Sequence, residues 1–138
     1  MKSVNDVMTR DVRVASPADS IRDAAAAMAQ ADIGSLPVGE NDRLVGMITD
    51  RDIVLRATAL GLGPETLVRD VMTQEIKYCR GDESVEDVAK QMAQLGVRRL
   101  PVIDGEKRLV GIVSLSNVTG GGDTHATATL LRGVATPH

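Results

Sequence analysis

The chain has 138 residues, 43% of them hydrophobic, and a formal net charge of −3. That length allows one compact domain or two small units, and the hydrophobic share supplies a core without staples. The acidic balance argues against a nucleic-acid binder driven by bulk charge. With no Trp, no Phe and a single Tyr, Tyr78, the stacking platforms of single-strand binders are missing too. Cys79, the only cysteine, excludes an internal disulfide and leaves only a bridge between chains; it reads as a small packed or partly exposed residue of a reducing cytoplasm. Met1-Lys2 is followed by polar residues rather than by an apolar signal segment, and no run reaches the ~20 apolar residues of a membrane span. A soluble, cytoplasmic protein is expected.

Taken in order, the chain states one pattern twice. Asp6-Val7-Met8-Thr9 returns as Asp70-Val71-Met72-Thr73, an offset of 64 from Met8 to Met72. An extended piece comes next, Val12 to Val14 or Ile76 to Tyr78. Ser20 and Ser84 then open helices, each with a carboxylate at the third helical position. Ile21, Ala24, Ala25 and Met28 fall on one face of the first, and Val85, Val88, Ala89 and Met92 on one face of the second. Both methionines read as core.

Each copy continues with two strands. Leu36-Pro37-Val38 and Leu100-Pro101-Val102 mark the first; proline keeps it short or at an edge. Polar turns stand at Glu40-Asn41-Asp42 and at Asp104-Gly105-Glu106, where Asp-Gly is a strong hairpin signal. The second strand, Leu44 to Ile48 or Leu109 to Val113, is a continuous apolar run and is expected to be buried throughout.

A helix from Asp50 to Leu60 closes the first copy and stops near Gly61-Leu62-Gly63-Pro64, the natural linker. The second copy meets Gly120-Gly121-Gly122 almost at once. Beyond it a short docked helix is expected from about Asp123 to Arg132, with a frayed tail as the alternative. The division is therefore repeat 1 at 1–62, repeat 2 at 63–119 and a Gly-rich tail at 120–138. The expected fold is α/β (α+β): two pseudo-symmetric β-α-β-β-α units, packed sheet to sheet around one shared core because each buries too little alone.

The chemistry concentrates where the second strand turns into the closing helix, at Gly46-Met47-Ile48-Thr49-Asp50-Arg51-Asp52 and again at Gly111-Ile112-Val113-Ser114-Leu115-Ser116-Asn117. A helix start offers unpaired N–H groups, Thr49 a hydroxyl and Asp52 a carboxylate. Phosphate donors beside an acceptor for sugar hydroxyls suit a nucleotide. Thr49-x-x-Asp52 equally fits a capping box, and Ser114-x-x-Asn117 a poorer one, since the usual partner is Glu or Gln.

Asp-Val-Met-Thr, a capped helix, Leu-Pro-Val and Gly-Met-Ile-Thr-Asp-Arg-Asp, in that order and stated twice, resemble the cystathionine-β-synthase-type (CBS) domain over about residues 3 to 118. Ala31-Asp32-Ile33-Gly34-Ser35-Leu36-Pro37 and Thr49-Asp50-Arg51-Asp52-Ile53-Val54 look most like the small stand-alone CBS-pair proteins, the hypoxic-response type among them. The resemblance implies a pseudo-two-fold pair with two clefts for adenosine-containing ligands: AMP, ADP, ATP or S-adenosylmethionine. It implies that Asp52 and Asn117 hold ribose hydroxyls and that Thr49 and Ser114 lie by the phosphate. Arginines before Leu-Pro-Val often meet phosphates in the family; Arg98 and Arg99 stand there in the second copy. The first copy has Gly34 and Ser35 instead, which leaves its phosphate to Arg51 or to a residue of the other copy. The triple glycine is a second departure, in place of a full closing helix. Adenine is expected among Val14, Ile33 and Ile48, with no aromatic available.

The function expected is thus a non-catalytic regulatory sensor of adenine nucleotides that acts through a protein partner. A homodimer is expected because one thin sheet pair cannot cover the apolar faces of four helices. The alternative is a ligand-free stress-response or interaction dimer, which the capping box favours. An enzyme is disfavoured: His125 and His138 lie in the tail, and neither a Gly-x-Ser-x-Gly nor a paired-histidine metal motif is present. Arg98-Arg99 and Lys107-Arg108 are basic pairs of the kind usually found on solvated surface, so nucleic acid is not the expected partner.

Overall fold

A computed structural model describes residues 2–120. Its elements are α1 (Val4–Val7), α2 (Ile21–Ala31), β1 (Ser35–Glu40), β2 (Arg43–Thr49), α3 (Asp50–Arg56), β3 (Cys79–Arg80), α4 (Val85–Leu95), β4 (Arg99–Ile103), β5 (Leu109–Ser114) and α5 (Leu115–Gly120), with short 3-10 turns at Thr58–Leu60 and Val68–Asp70. The tail helix expected near 123–132 lies outside the described residues.

The compact units do not coincide with the sequence repeats. One unit is Arg13–Ile76; the other joins residues 2–12 to residues 77–120. The Asp-Val-Met-Thr motif is the reason. In the first unit Thr73 and Met47 exchange backbone hydrogen bonds of 2.8 and 2.9 Å, so the second repeat's motif is laid on β2. In the other unit Thr9 and Ile112 do the same at 2.8 and 2.9 Å, on β5. Glycine at the crossing is a steric need. A Cβ on Gly46 would lie 2.8 Å from Met72 Sδ and 3.0 Å from the Thr73 carbonyl oxygen. One on Gly111 would lie 2.7 Å from Met8 Sδ and 2.8 Å from the Thr9 carbonyl oxygen.

In the Arg13–Ile76 unit, β1 and β2 form an antiparallel pair with Ser35 opposite Thr49. The turn between them is two residues, Asn41 and Asp42, both at positive φ (54° and 64°), the left-handed pair a type I′ hairpin requires. Ala15 adds a parallel bridge to Val38. The expected extended piece at 12–14 therefore pairs one residue later. Ser20 Oγ accepts from the Asp23 N–H at 3.1 Å and starts α2. Ile21, Ala24 and Met28 are buried. Ala25, assigned to the same face, is exposed; the two-stranded sheet beneath α2 takes a narrower stripe. β2 alternates instead of burying every residue: Leu44, Gly46 and Ile48 are buried, and Val45 and Met47 half-buried.

The closing helix stops short of Leu60. Ala57 is fully buried and leaves helical geometry at φ −124°, ψ −68°, and a 3-10 turn carries the chain to Gly61, left-handed at φ 77°. The segment after Gly61 is docked and is not a free linker. Ile21 N–H donates to the Thr66 carbonyl at 2.8 Å, and Val68 N–H to that of Asp19 at 2.8 Å.

The other unit has three strands in the order β3-β4-β5, β3 parallel and β5 antiparallel to β4. The extended piece expected at 76–78 pairs at Cys79–Arg80. α4 starts on Ser84, whose Oγ accepts from the Asp87 N–H at 3.1 Å. It buries all four residues assigned to its face, Val85, Val88, Ala89 and Met92. Asp104-Gly105 is not the tight turn its sequence suggests: Lys107 takes the left-handed position (φ 64°), and Asp104 Oδ1 accepts from the Glu106 and Arg108 N–H groups at 2.8 and 3.0 Å. Each unit closes around its own buried cluster, one containing Ile21, Met28, Leu36 and Ile48, the other Val88, Met92, Leu100 and Val113.

Candidate functional site

At the first junction both arms of the capping box form. Thr49 Oγ1 accepts from the Asp52 N–H at 2.9 Å, and Asp52 Oδ2 accepts from the Thr49 N–H at 3.0 Å. Asp52 Oδ1 lies 3.9 Å from Arg56 Nε, and the carboxylate side chain is 14% exposed. One oxygen thus caps the helix, while the other faces a distant, half-exposed guanidinium. Arg51 is exposed beside it.

The second junction repeats this design with an amide. Asn117 Oδ1 accepts from the Ser114 N–H at 2.9 Å and from Ser114 Oγ at 2.9 Å. The return bond, Asn117 N–H to Ser114 Oγ, is longer at 3.4 Å. Asn117 therefore caps, with one weak arm. The strands deliver the arginines to this point. Arg99 sits opposite Ser114 in the β4-β5 register, and the Arg98 carbonyl accepts from the Leu115 N–H at 2.9 Å. Both arginine side chains are exposed.

The aliphatic residues assigned to adenine divide. Val14 is 47% exposed and Ile33 half-buried, but Ile48 has no exposed surface and belongs to the core. Burial on the inward side of β2 takes Ile48 off any ligand-facing set. An aromatic is available after all: the 64-residue offset carries Val14 onto Tyr78, which is 43% exposed. The repeat itself held that signal, and also carries Ile33 onto Val97, half-buried. Cys79, counterpart of Ala15, is packed as expected; burial, with a smaller contribution from Glu83, pushes its thiol from 9.0 up to about 12. A thiol held this far from ionisation is a poor nucleophile.

A cavity of about 490 Å³ lies along α2, between Arg13 and Asp19, and another of about 300 Å³ lies near Arg80 and Asp104. Neither is lined by Thr49, Asp52, Ser114 or Asn117. Among the described residues no group of three or more His, Cys, Asp or Glu is placed to hold a metal ion, and no helix is long and apolar enough to cross a membrane.

Two tandem units, each closed by a capped strand-to-helix junction, define a class, and comparison with known proteins shows which. The CBS domain matches twice, at residues 4–58 and 68–120. The chain belongs to the CBS-domain family and carries a tandem pair. It is similar to the CBS domain-containing protein YhcV of Bacillus subtilis, 45% identical over 118 residues, covering 86% of this chain and 84% of that one. It is similar to Hypoxic response protein 1 of Mycobacterium tuberculosis, 35% identical over 139 residues, covering 99% and 96%. Neither relative carries a catalytic name.

Solved structures agree in fold. Hypoxic Response Protein I with two coordinated zinc ions superposes with a TM-score of 0.77 at 36% identity, covering 88% of this chain and 99% of that one. CBSX2, a CBS-pair protein from Arabidopsis thaliana, in complex with AMP also gives 0.77, at 29% identity and coverage of 88% and 96%. The CBS domain pair of protein MJ0100, in complex with 5′-methylthioadenosine and S-adenosyl-L-methionine, gives 0.75 at 29% identity, covering 89% and 99%.

Proposed function

We propose that this chain is a non-catalytic regulatory module that binds adenosine-containing ligands (AMP, ADP, ATP or S-adenosylmethionine) at its two junctions. The observation that carries the reading is the acceptor–hydroxyl pair built twice at equivalent positions, in a family whose solved members include complexes with AMP and with S-adenosylmethionine. Asp52 and Asn117 take the ribose hydroxyls, and Thr49 and Ser114 lie toward the 5′ substituent. Arg98 and Arg99 meet phosphate at the second junction, and Arg51 or a residue of the other copy does so at the first. Adenine rests on Val14 and Ile33 in one copy and on Tyr78 in the other, where an exposed ring adds a stacking face.

Ligand binding shifts the relation between repeats, or between two chains of a homodimer, and so alters a surface read by a partner in the cytoplasm. A ligand contributes to such a switch only through its differential affinity for the two states. A thermal-shift panel of AMP, ADP, ATP, S-adenosylmethionine and NAD tests the reading. A ligand at 100 times its dissociation constant stabilises by roughly 2.7 kcal/mol, which moves the midpoint by several degrees. No shift with any of them removes the proposal.

A second reading has its own support. Both boxes have their capping partners within the chain, so the helix starts require no ligand. On that basis the chain is a ligand-free dimer with a role in stress response or protein interaction, and the same panel separates the two.

A further inference from the structure

The junctions differ most in charge where the first strand meets the closing helix. In both copies the residue before the Leu-Pro-Val strand is tied by its carbonyl to the first helical N–H: Gly34 to Asp50, and Arg98 to Leu115, each at 2.9 Å. The side chains at this shared point are opposite in kind. A Cβ on Gly34 would lie 2.9 Å from Asp50 Oδ2 and 3.3 Å from Asp50 Cγ, so the carboxylate fills the space that a side chain at 34 would enter. Asp50 Oδ1 accepts from the Arg51 N–H at 2.8 Å, which fixes the group. Among the described residues no cation is ion-paired with Asp50. Across Gly34-Ser35 and Thr49 to Asp52, two Asp and one Arg give −1; across Arg98-Arg99 and Ser114 to Asn117, two Arg give +2.

Resting on the nucleotide-site reading above, we propose that Asp50 sets the ligand class of the first junction. It disfavours phosphate and selects adenosine derivatives whose 5′ substituent is neutral or cationic, a sulfonium above all. The second junction, with Arg98 where the first has Gly34, takes phosphorylated adenosine. A fixed like charge at contact distance from a phosphate lowers affinity by roughly tenfold even near solvent, and an opposite charge raises it comparably. Salt screens this preference, so the discrimination shrinks as ionic strength rises.

The test is titration calorimetry with S-adenosylmethionine, 5′-methylthioadenosine, AMP and ADP. The full chain carries Asn117→Ala, Arg98→Ala and Arg99→Ala to silence the second junction. S-adenosylmethionine is expected to bind at least tenfold tighter than ADP. Adding Asp50→Asn should cut that ratio about tenfold while leaving 5′-methylthioadenosine unchanged. Asp50→Asn alone in the native chain reads the same change in ratio should the triple variant fail to fold; Asp50 is exposed and its loss opens no core. ADP binding as tightly as S-adenosylmethionine with Asp50 present, or a ratio indifferent to Asp50→Asn, overturns the assignment. If no adenosine ligand binds, or Asp52→Ala leaves every affinity as it was, the site itself is wrong and this inference falls with it. If binding needs Asp52 but ignores Asp50, only the role of Asp50 is lost.

Discussion

Asp52 and Asn117 occupy the same place in two copies of one design, and they separate what the fold needs from what a ligand needs. Both accept from the N–H three residues earlier, at 3.0 and 2.9 Å, so an amide oxygen serves this arm of the box as well as a carboxylate does. Charge at this position is not required by the backbone. The differences between the junctions that capping does not explain include Asp52 for Asn117, Asp50 for Leu115, Arg51 for Ser116, and Gly34-Ser35 for Arg98-Arg99. Those are the positions on which the proposed function rests.

The comparison breaks most visibly at the glycines beneath the Asp-Val-Met-Thr segments. Gly111→Val should lower stability by about 3 kcal/mol, the upper range for overpacking, because the clash includes the Thr9 carbonyl at 2.8 Å. Gly46→Val should be somewhat milder, since the Thr73 carbonyl is at 3.0 Å and Met72 is flexible. Urea denaturation of the two variants ranks them, and equal or negligible losses contradict the packing described.

Helix ends give a smaller contrast. α4 ends on Gly96 at φ 67°, and α2 on Asp32 at φ 54°. Gly96→Ala should destabilise by about 1 kcal/mol, and Asp32→Gly should be neutral or slightly stabilising, because only the first adds left-handed strain. Thermal melts of both settle the sign.

Smaller still is the exchange of Cys79 for its counterpart. Ala15 and Cys79 are equally buried, each 3% exposed, so Cys79→Ala should cost about 1 kcal/mol or less. Its pH signature is directional. Because the folded thiol is raised to about 12, its contribution is complete below pH 9 and is lost as pH climbs toward 12. Cys79→Ala should remove that alkaline fall, and the native thiol should react with a thiol reagent at pH 8 only as fast as the chain opens. Rapid modification of folded protein contradicts the burial.

Local chemistry was legible in the sequence. Ser20 with Asp23 and Ser84 with Asp87 announced two helices, and both hairpins stood where Leu-Pro-Val and the polar turns placed them. What escaped was information that no local window holds. A 64-residue offset reveals two copies but not that Met8 lies over Gly111 and Met72 over Gly46, since the same motif would serve either sheet. β3 was expected as an extended piece at Ile76 to Tyr78 and pairs just beyond it, at Cys79-Arg80, because a two-residue parallel pairing is set by where Val102 and Ile103 fall and not by a local pattern. The end of α3 escaped because Ala57 has a good helix propensity and leaves the helix for burial. At the candidate site, the pairing of Thr49 with Asp52 and of Ser114 with Asn117 was legible from their spacing. Ile48 was misjudged because the alternation of β2 depends on which face the unit covers. Tyr78, exposed at the position equivalent to Val14, was not weighed for the second copy although the repeat pointed to it.

The most direct test of a ribose-holding carboxylate is Asp52→Asn, studied by calorimetry and thermal melting together. Asn117 shows that an amide keeps the box, so the melting midpoint should stay nearly unchanged. A bond to a charged acceptor contributes ~1.5–3 kcal/mol against ~0.5–1.5 for a neutral one, so the first junction's affinity for an adenosine ligand should fall roughly tenfold while the second is untouched. Affinities identical to the native chain's would mean that Asp52 is a helix cap and nothing more.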